Sequence, residues 1–224
     1  GNYTGTLVNG LMHHFGNLPS NSDVEYRPGL VHRLDKNTSG VMVIAKTELA
    51  ISHLSKQFFD RTISRKYNAI VWGSPKQEQG IIEGNIGRSF KNRKIMDVFP
   101  PDGDYGKHAV THHKLIKSLG YVSLVECKLE TGRTHQIRAH MKFLGHPLFN
   151  DDSYGGDKIL KGLPTANYKR FVHNAFELIP GQALHAKTLE LTHPTSGERL
   201  FFDSEVPEGF AAIVEKFEKA ELTR

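Results

Sequence analysis

The chain has 224 residues, of which 38% are hydrophobic and 24% are charged, the composition of an ordinary globular protein. No stretch approaches the roughly 18 consecutive apolar residues that a membrane span requires, and the N-terminus lacks the basic-then-apolar pattern of a signal peptide. The single cysteine, Cys127, excludes an internal disulfide and a cysteine-based zinc site. We therefore expect one cytoplasmic domain that covers residues 1–224 and does not contact a membrane.

Positive charge is concentrated in two places. The formal net charge of +5 and the pI near 9.2 suit a polyanionic partner. The two basic groups are Arg88, Lys91, Arg93 and Lys94, and Arg133, Arg138 and Lys142. Either group can follow a phosphate backbone, and either can be solvated surface charge.

The first predicted elements in chain order are a strand, a helix and a second strand. Residues 41–46 form a short apolar run that predicts a buried strand. Thr47 and Glu48 then begin a helix. Residues 63–72 predict the next strand, which a Gly-Ser-Pro turn closes. The apolar stripe of the helix is formed by Ala50, Ile51, Leu54 and Phe58.

Three further strands are predicted in the middle of the chain. They cover residues 81–88, 107–116 and 121–130, and a loop rich in Pro, Gly and Asp separates the first two at residues 100–106. Apolar and charged residues alternate in the third, so one of its faces should be wet. The apolar face carries Val125, Cys127 and Leu129, and the polar face carries Glu126, Lys128 and Glu130.

The last third of the chain adds helices and a hairpin. A short helix with Ile137, Met141 and Leu144 on one face should stop before Gly145 and Pro147. Residues 153–181 look like a surface insertion with one helix near 168–176, and residues 184–191 and 199–203 predict a hairpin. A final helix has an apolar stripe from Phe210 to Phe217. These elements predict an α+β fold with a mixed, mainly antiparallel sheet flanked by helices and loops.

The densest segment for chemistry is RPGLVHRLDKNTSG, at residues 27–40. Asp35 lies there among basic, hydroxyl and glycine residues, just before the first predicted strand. A carboxylate in such a place can be a nucleophile or a general base. It can equally be a turn aspartate whose side chain caps the backbone amides of Asn37 or Thr38.

Two other segments combine residue types that suit a nucleic acid. In LETGRTHQIRAH, at residues 129–140, exposed helix-start amides next to Arg133 and Arg138 favour an anion, although a plain connection with surface arginines is the alternative. In SRKYNA, at residues 64–69, the ring of Tyr67 can stack on a nucleobase or belong to the core.

The thirteen histidines do not predict a metal site. Neighbouring histidines on a strand point to opposite faces, and none of the close pairs has the helical i, i+4 spacing of a ligand pair. We therefore expect no metal.

Together these segments resemble the RluA-type pseudouridine synthase family. Its motif H-R-L-D-x-x-T-S-G is met at residues 32–40, R-K-Y-x-A at 65–69 and L-x-T-G-R-T-H-Q-I-R-x-H at 129–140. Ile86-Gly87-Arg88 with Arg93-Lys94 resembles the family's basic loop, and residues 182–186 resemble its late strand. The resemblance extends from residue 5 to residue 194, without the N-terminal strand pair and the separate RNA-binding domain that many members have, and both are expected to be absent here.

The resemblance implies an isomerase that converts selected uridines of RNA to pseudouridine without a cofactor. Asp35 would be its catalytic residue, and Arg133 would orient Asp35 and keep it ionised. Tyr67 would lie against the flipped uracil and Ile137 would form an apolar wall of the same pocket. Arg33 would fill the gap left in the RNA. The further substrate contacts would be His32, Arg138, Arg88, Arg93 and Lys94.

The amino-acid sequence as a whole is most similar to the RluD-like branch of the family. This similarity implies large-subunit ribosomal RNA as the partner of a monomeric enzyme. Transfer RNA is the alternative substrate. A non-catalytic RNA-binding protein would keep the basic groups but would not need Asp35 and Arg133 together. A metal-dependent nuclease would need several clustered carboxylates, whereas Asp35 is single in its motif.

Overall fold

A computed structural model describes residues 4–20, 27–163 and 165–222 and contains one eight-stranded sheet. The strands are β1 (Ser39–Gly40), β2 (Ser64–Trp72), β3 (Gln79–Arg88), β4 (Met96–Phe99), β5 (Lys107–Leu119), β6 (Val122–Leu129), β7 (Leu184–Thr192) and β8 (Arg199–Asp203). They follow the order β1-β7-β2-β6-β5-β3-β4, and β8 also pairs with β7. Every pairing between these strands is antiparallel except that of β1 with β7. The helices are α1 (Leu7–Phe15), α2 (Glu48–Phe59), α3 (Gln136–Phe143), α4 (Ala166–Phe176) and α5 (Glu208–Leu222). The predicted α+β class is confirmed.

Helices cover both faces of this sheet. Successive residues of a strand point to opposite faces, so Ala69 and Val71 of β2 pack with Ile137 and Met141 of α3. Trp72 faces the other way and packs with residues of α4 and α5. Within the described residues no helix is long and apolar enough to cross a membrane.

The strand predicted at residues 41–46 is wrong. Only Ser39 and Gly40 form β1, and beyond them a single bridge joins Leu30 to Ile44. The Val41 N–H donates to the Ala186 carbonyl of β7 at 3.0 Å. Two later amides find partners in the preceding loop: the Val43 N–H donates to His32 Nε2 at 3.0 Å and the Ala45 N–H to the Gly29 carbonyl at 2.9 Å. The apolar side chains then pack under α2, so their burial is independent of a strand ladder.

Residues 153–181 are not a surface insertion, because α4 is part of the hydrophobic core on the face of the sheet that carries Trp72. Val172 and Ala175 are fully buried and pack with Trp72 and Phe149. The Asn150 side-chain amide donates to the carbonyls of Phe176 and Ile179, which ties the end of α4 to the body of the protein. The polar and glycine-rich composition around α4 favoured an exposed segment. It did not indicate that Val172 and Ala175 pack against large aromatic rings.

The other predicted elements are confirmed with shifts of a few residues at their ends. Thr47 caps α2 by accepting a hydrogen bond from the Ala50 amide, and Ile51 and Leu54 are buried as expected. Cys127 is buried on the apolar face of β6, and burial raises the pKa of its thiol to about 12. On α3 the predicted stripe is partly wrong, since Ile137 and Met141 are buried but Leu144 is 37% exposed.

Candidate active site

A network of long-range hydrogen bonds holds the loop that carries Asp35. The Thr38 amide donates to the backbone carbonyl of Asp35 at 3.0 Å, so this amide, one of the two in the turn alternative, is not capped by the Asp35 side chain. Just before β7, the Gln182 side chain donates to the Lys36 carbonyl at 2.7 Å and to Thr38 Oγ1 at 3.0 Å. The loop is thus fixed by the backbone and by a residue 144 positions away, which leaves the Asp35 carboxylate available.

Two residues at fixed positions of the motif after Asp35, Ser39 and Gly40, attach the loop to the sheet. Ser39 Oγ and His185 Nδ1 are 2.8 Å apart and share a hydrogen bond. Gly40 has a φ of 117°, and a Cβ at this position would lie 2.2 Å from the carbonyl oxygen of Ala186. Only glycine permits this approach of two backbones.

His32 braces the same loop from its other end. Its Nε2 accepts the Val43 amide, and its ring stacks on Phe58 with 4.8 Å between centroids. Burial, with a smaller contribution from the charge of Arg65, lowers the pKa of His32 to about 4. The ring is therefore neutral at pH 7, as the accepting role requires. His32 lines the cleft beside Asp35, but its Nε2 is occupied by the hydrogen bond from Val43 that stabilises the loop.

The ion-pair partner of Asp35 is Arg138, and the predicted pairing with Arg133 is wrong. Arg138 Nη1 lies 3.5 Å from Asp35 Oδ2. The same guanidinium donates two hydrogen bonds of 2.8 Å to Asp151, which is fully buried. The ring of Tyr154 lies under it, with 4.9 Å from Cζ to the centroid. Asp151 and Tyr154 hold the guanidinium in one orientation, and its remaining nitrogen, Nη1, points to Asp35.

Arg133 occupies a different place in the same cleft. Its Nε donates to the His108 carbonyl at 3.0 Å, and it forms no ion pair with a described residue. Its backbone amide donates to Gln136 Oε1 at 2.9 Å. Arg133 therefore projects from the turn before α3, and it keeps N–H groups for an anion.

Buried hydrogen bonds anchor that turn to β5. Thr131 Oγ1 accepts the Val110 amide at 3.0 Å and donates to Gln136 Oε1 at 2.8 Å. The Gln136 amide in turn donates to the Val110 carbonyl and to Thr111 Oγ1, both at 3.0 Å. This network satisfies groups that are out of reach of water, and it fixes where α3 begins and hence where Arg138 points.

A cleft of about 320 Å³ opens above Asp35. Tyr67 is 6% exposed and belongs to the core, yet it also forms part of the cleft wall, and burial raises its pKa. Ile137 closes the cleft from α3. The structure therefore brings six of the predicted residues together along this cleft, namely Asp35, Tyr67, His32, Arg33, Arg133 and Ile137.

Arg65 is a further residue of the cleft, and no role was predicted for it. Its Cζ lies 5.3 Å from the centroid of the Phe58 ring, its Nε is buried without a hydrogen-bond partner, and no described carboxylate pairs with it. Burial lowers the pKa of Arg65, although an arginine stays charged at neutral pH. A half-buried cation without a counterion in an open cleft favours an anionic ligand. The R-K-Y motif contained this residue, but its missing partner is visible only in three dimensions.

The basic loop lies outside the cleft. Arg88 Nη1 donates to the Arg93 carbonyl at 2.8 Å and thereby shapes the loop between β3 and β4. Arg93 and Lys94 are exposed. Within the described part of the chain, no group of three or more His, Cys, Asp or Glu residues is arranged to hold a metal ion.

Comparisons with known proteins agree with this arrangement. A model of the RNA pseudouridylate synthase family matches residues 4–143, and the chain belongs to this family. It is 49% identical over 217 residues to an uncharacterized RNA pseudouridine synthase of Chlorobaculum parvum, covering 96% of this chain and 66% of that protein. It is 45% identical to ribosomal large subunit pseudouridine synthase D of Zymomonas mobilis, covering 93% and 62%. The chain thus spans slightly less than two thirds of the length of these relatives.

A solved structure has a similar fold. The human protein named RNA pseudouridylate synthase domain containing 4 has a TM-score of 0.67 and 28% identity to this chain, covering 85% of this chain and 76% of that one. The architecture and the family assignment therefore rest on both sequence and fold.

Proposed function

We propose that this chain isomerises uridine to pseudouridine in RNA, with Asp35 as the catalytic residue. The observation that carries the proposal is the Asp35 carboxylate, 3.5 Å from a guanidinium that a second, buried aspartate holds in place. It faces a cleft with one aromatic and one aliphatic wall, which suits a flat, uncharged ring. Family membership supports the same reaction.

The reaction rearranges bonds within one nucleotide. The bond from ribose C1′ to N1 of uracil breaks, the base turns, and C1′ joins C5; the proton on C5 leaves to solvent and N1 gains a proton. No oxidant, reductant or hydrolytic water is consumed. Asp35 supplies the anionic oxygen for the nucleophilic or proton-transfer step.

The other residues of the cleft bind and orient the nucleotide. Because C1′ and C5 are inaccessible in a stacked helix, the nucleotide must enter the cleft in a flipped conformation. Tyr67 and Ile137 then enclose the uracil, and Arg138 orients the carboxylate. Arg65 and Arg133 have free N–H groups for the phosphates, and Arg33 at the rim fills the gap left in the RNA.

Large-subunit ribosomal RNA is the proposed substrate. The support is the identity of 45% to a relative named for that activity. Transfer RNA is the alternative, and no contact in the structure favours it. A non-catalytic RNA-binding protein would not need a buried arginine held toward Asp35.

Loss of tritium from C5-labelled uridine measures the reaction directly, because the C5 hydrogen is released. Ribosomal and transfer RNA transcripts labelled in this way should distinguish the substrates. Asp35→Asn should release less than about 1% of the wild-type amount while binding RNA within a few fold, because the amide keeps the shape but loses nucleophilicity and basicity. Asp157→Asn, at an exposed position, is the matched control. Normal release by Asp35→Asn would refute the assignment.

A further inference from the structure

Three aromatic rings form a cluster at the edge of the sheet, outside the cleft. The ring of Phe90 lies 4.7 Å from that of Tyr105 and 5.3 Å from that of Phe99, and the last two are 4.8 Å apart. Phe90 comes from the loop after β3, Phe99 ends β4, and Tyr105 lies in the loop before β5. Phe90 is 69% exposed, so much of its ring faces solvent while its partners support it.

The supporting geometry is specific to this place. The hydroxyl of Tyr105 donates to the Arg88 carbonyl at 2.9 Å. The same ring lies so close to Gly87 that a Cβ there would be 2.6 Å from Tyr105 Cε1. Gly87 thus allows the ring of Tyr105 to pack directly on β3, where it supports the exposed ring of Phe90.

The surroundings of Phe90 are basic. Residues 86–107 contain five cationic and three anionic side chains, and four of the cations lie within four residues of Phe90. None of those four forms an ion pair with a residue that the structure describes. The cations are Arg88, Lys91, Arg93, Lys94 and Lys107, and the anions are Asp97, Asp102 and Asp104.

A second cleft connects this cluster to the Asp35 cleft. It has a volume of about 520 Å³, and Tyr105, Arg88 and Lys107 contribute to its walls. Gly132, Arg133 and Thr134 line both clefts. A strand whose nucleotide enters the first cleft can therefore continue past Arg133 into the second and reach the aromatic cluster.

We propose that Phe90, supported by Tyr105 and Phe99, stacks on an unpaired base of the RNA strand next to the flipped uridine. An exposed aromatic ring among cations is the combination that binds single-stranded nucleic acid, because the ring takes the base and the cations take the phosphates. This proposal rests on the proposed function and adds a base-stacking site for the flanking strand.

The test compares Phe90→Ala, Phe90→Trp and a control. An oligouridylate of about 12 nucleotides, a length within the range of single-strand sites, is the probe, together with the same chain lacking its bases. Phe90→Ala should weaken binding of the oligouridylate about five-fold or more and leave binding of the abasic chain unchanged. Phe201→Ala should have no effect, because Phe201 is 63% exposed on β8, at the opposite edge of the sheet from β4.

Tryptophan at position 90 gives a direct signal. The natural tryptophan, Trp72, is fully buried, so a change in exposed-tryptophan fluorescence reports on position 90. Phe90→Trp should restore affinity, and the oligouridylate should quench its fluorescence while the abasic chain should not. Unchanged fluorescence at saturation would overturn the proposal.

Salt dependence separates stacking from phosphate contacts. Phe90→Ala should leave the slope of log affinity against log salt unchanged, whereas Arg93→Ala with Lys94→Ala should flatten it by about 0.7 for each lost contact on a single strand. An equal loss of affinity for the base-bearing and abasic chains would also overturn the stacking role. Thermal unfolding of Phe90→Ala checks that the loops still fold.

These measurements are independent of the proposed reaction. Tritium release by the wild-type protein tests pseudouridine formation alone. If no RNA releases tritium but position 90 is quenched, the proposed function fails and the stacking site stands. If tritium is released but the fluorescence of Phe90→Trp does not change, the stacking proposal is refuted and the proposed function stands.

Discussion

The two carboxylates that contact Arg138 should have separable roles, and Asp151→Asn against Asp35→Asn tests this. Arg138 donates two hydrogen bonds of 2.8 Å to Asp151, and their side chains are 6% and 0% exposed. Asp35 is 15% exposed and lies 3.5 Å from the same guanidinium. Asp151 should therefore stabilise the fold, and Asp35 should serve the reaction.

The expected magnitudes follow from burial. Asparagine at position 151 presents an NH₂ group to a guanidinium that also donates, so one of the two hydrogen bonds is lost and the buried charge keeps only its longer contact with Asp35. Breaking a buried ion pair in this way costs about 3–5 kcal/mol, against a typical total stability of about 5–15 kcal/mol. Asparagine at position 35 leaves the pair of Arg138 with Asp151 intact, so its cost in unfolding free energy should be clearly smaller than that of Asp151→Asn.

Urea unfolding followed by circular dichroism measures the free energies, and tritium release measures turnover per folded molecule. Asp151→Asn should also lower turnover by about tenfold or more, because Arg138 is no longer held toward Asp35. Asp60→Asn is the control, since it removes the exposed i, i+4 pair with Lys56, which is worth about 0–1 kcal/mol. Wild-type stability of Asp151→Asn, or an equal loss in Asp35→Asn, would refute this division of roles.

Two further predictions concern metals and pH. Activity should persist in excess chelator because the proposed step uses Asp35 and no Lewis acid; a loss that zinc or magnesium restores, with the RNA fold intact, would contradict it. Burial lowers the pKa values of His32 and His140 to about 4, whereas an unfolded histidine titrates near 6.5. The unfolded chain therefore binds more protons between these values. The contribution of these two histidines to the free energy of unfolding should be constant above about pH 7 and fall by up to about 1.4 kcal/mol per pH unit for each histidine as the pH drops from about 6.5 to 4. Urea midpoints across this range should show a shallower fall for His140→Gln, and an unchanged slope would count against the buried neutral ring.

Local patterns identified most of the elements but not all of them. The alternation in β6 and the capped stripe of α2 are properties of neighbouring residues, so both were predicted correctly. The run at residues 41–46 has the same apolar character, yet two of its amides donate to His32 and Gly29 instead of to a neighbouring strand. The burial of α4 depends on Trp72 and Phe149, which are distant in sequence.

The site shows the same division. The motif around Asp35 was visible because its residue types occur in a fixed order, and its contacts now explain that order: Thr38 meets Gln182, Ser39 meets His185 and Gly40 meets Ala186. These contacts join positions about 145 apart, and a pattern of neighbours does not report them.

The sequence by itself determined the family and identified Asp35 as the candidate carboxylate, because both depend on short ordered motifs. Only the tertiary structure decided which arginine holds Asp35. Arg133 and Arg138 are five residues apart in one motif, and both are cations of the same type. Gln136 fixes the start of α3, Arg138 therefore points inward, and Asp151 provides a buried carboxylate at that position. The choice between the two arginines is thus a matter of direction in space, which depends on where α3 begins and on a residue 13 positions beyond Arg138.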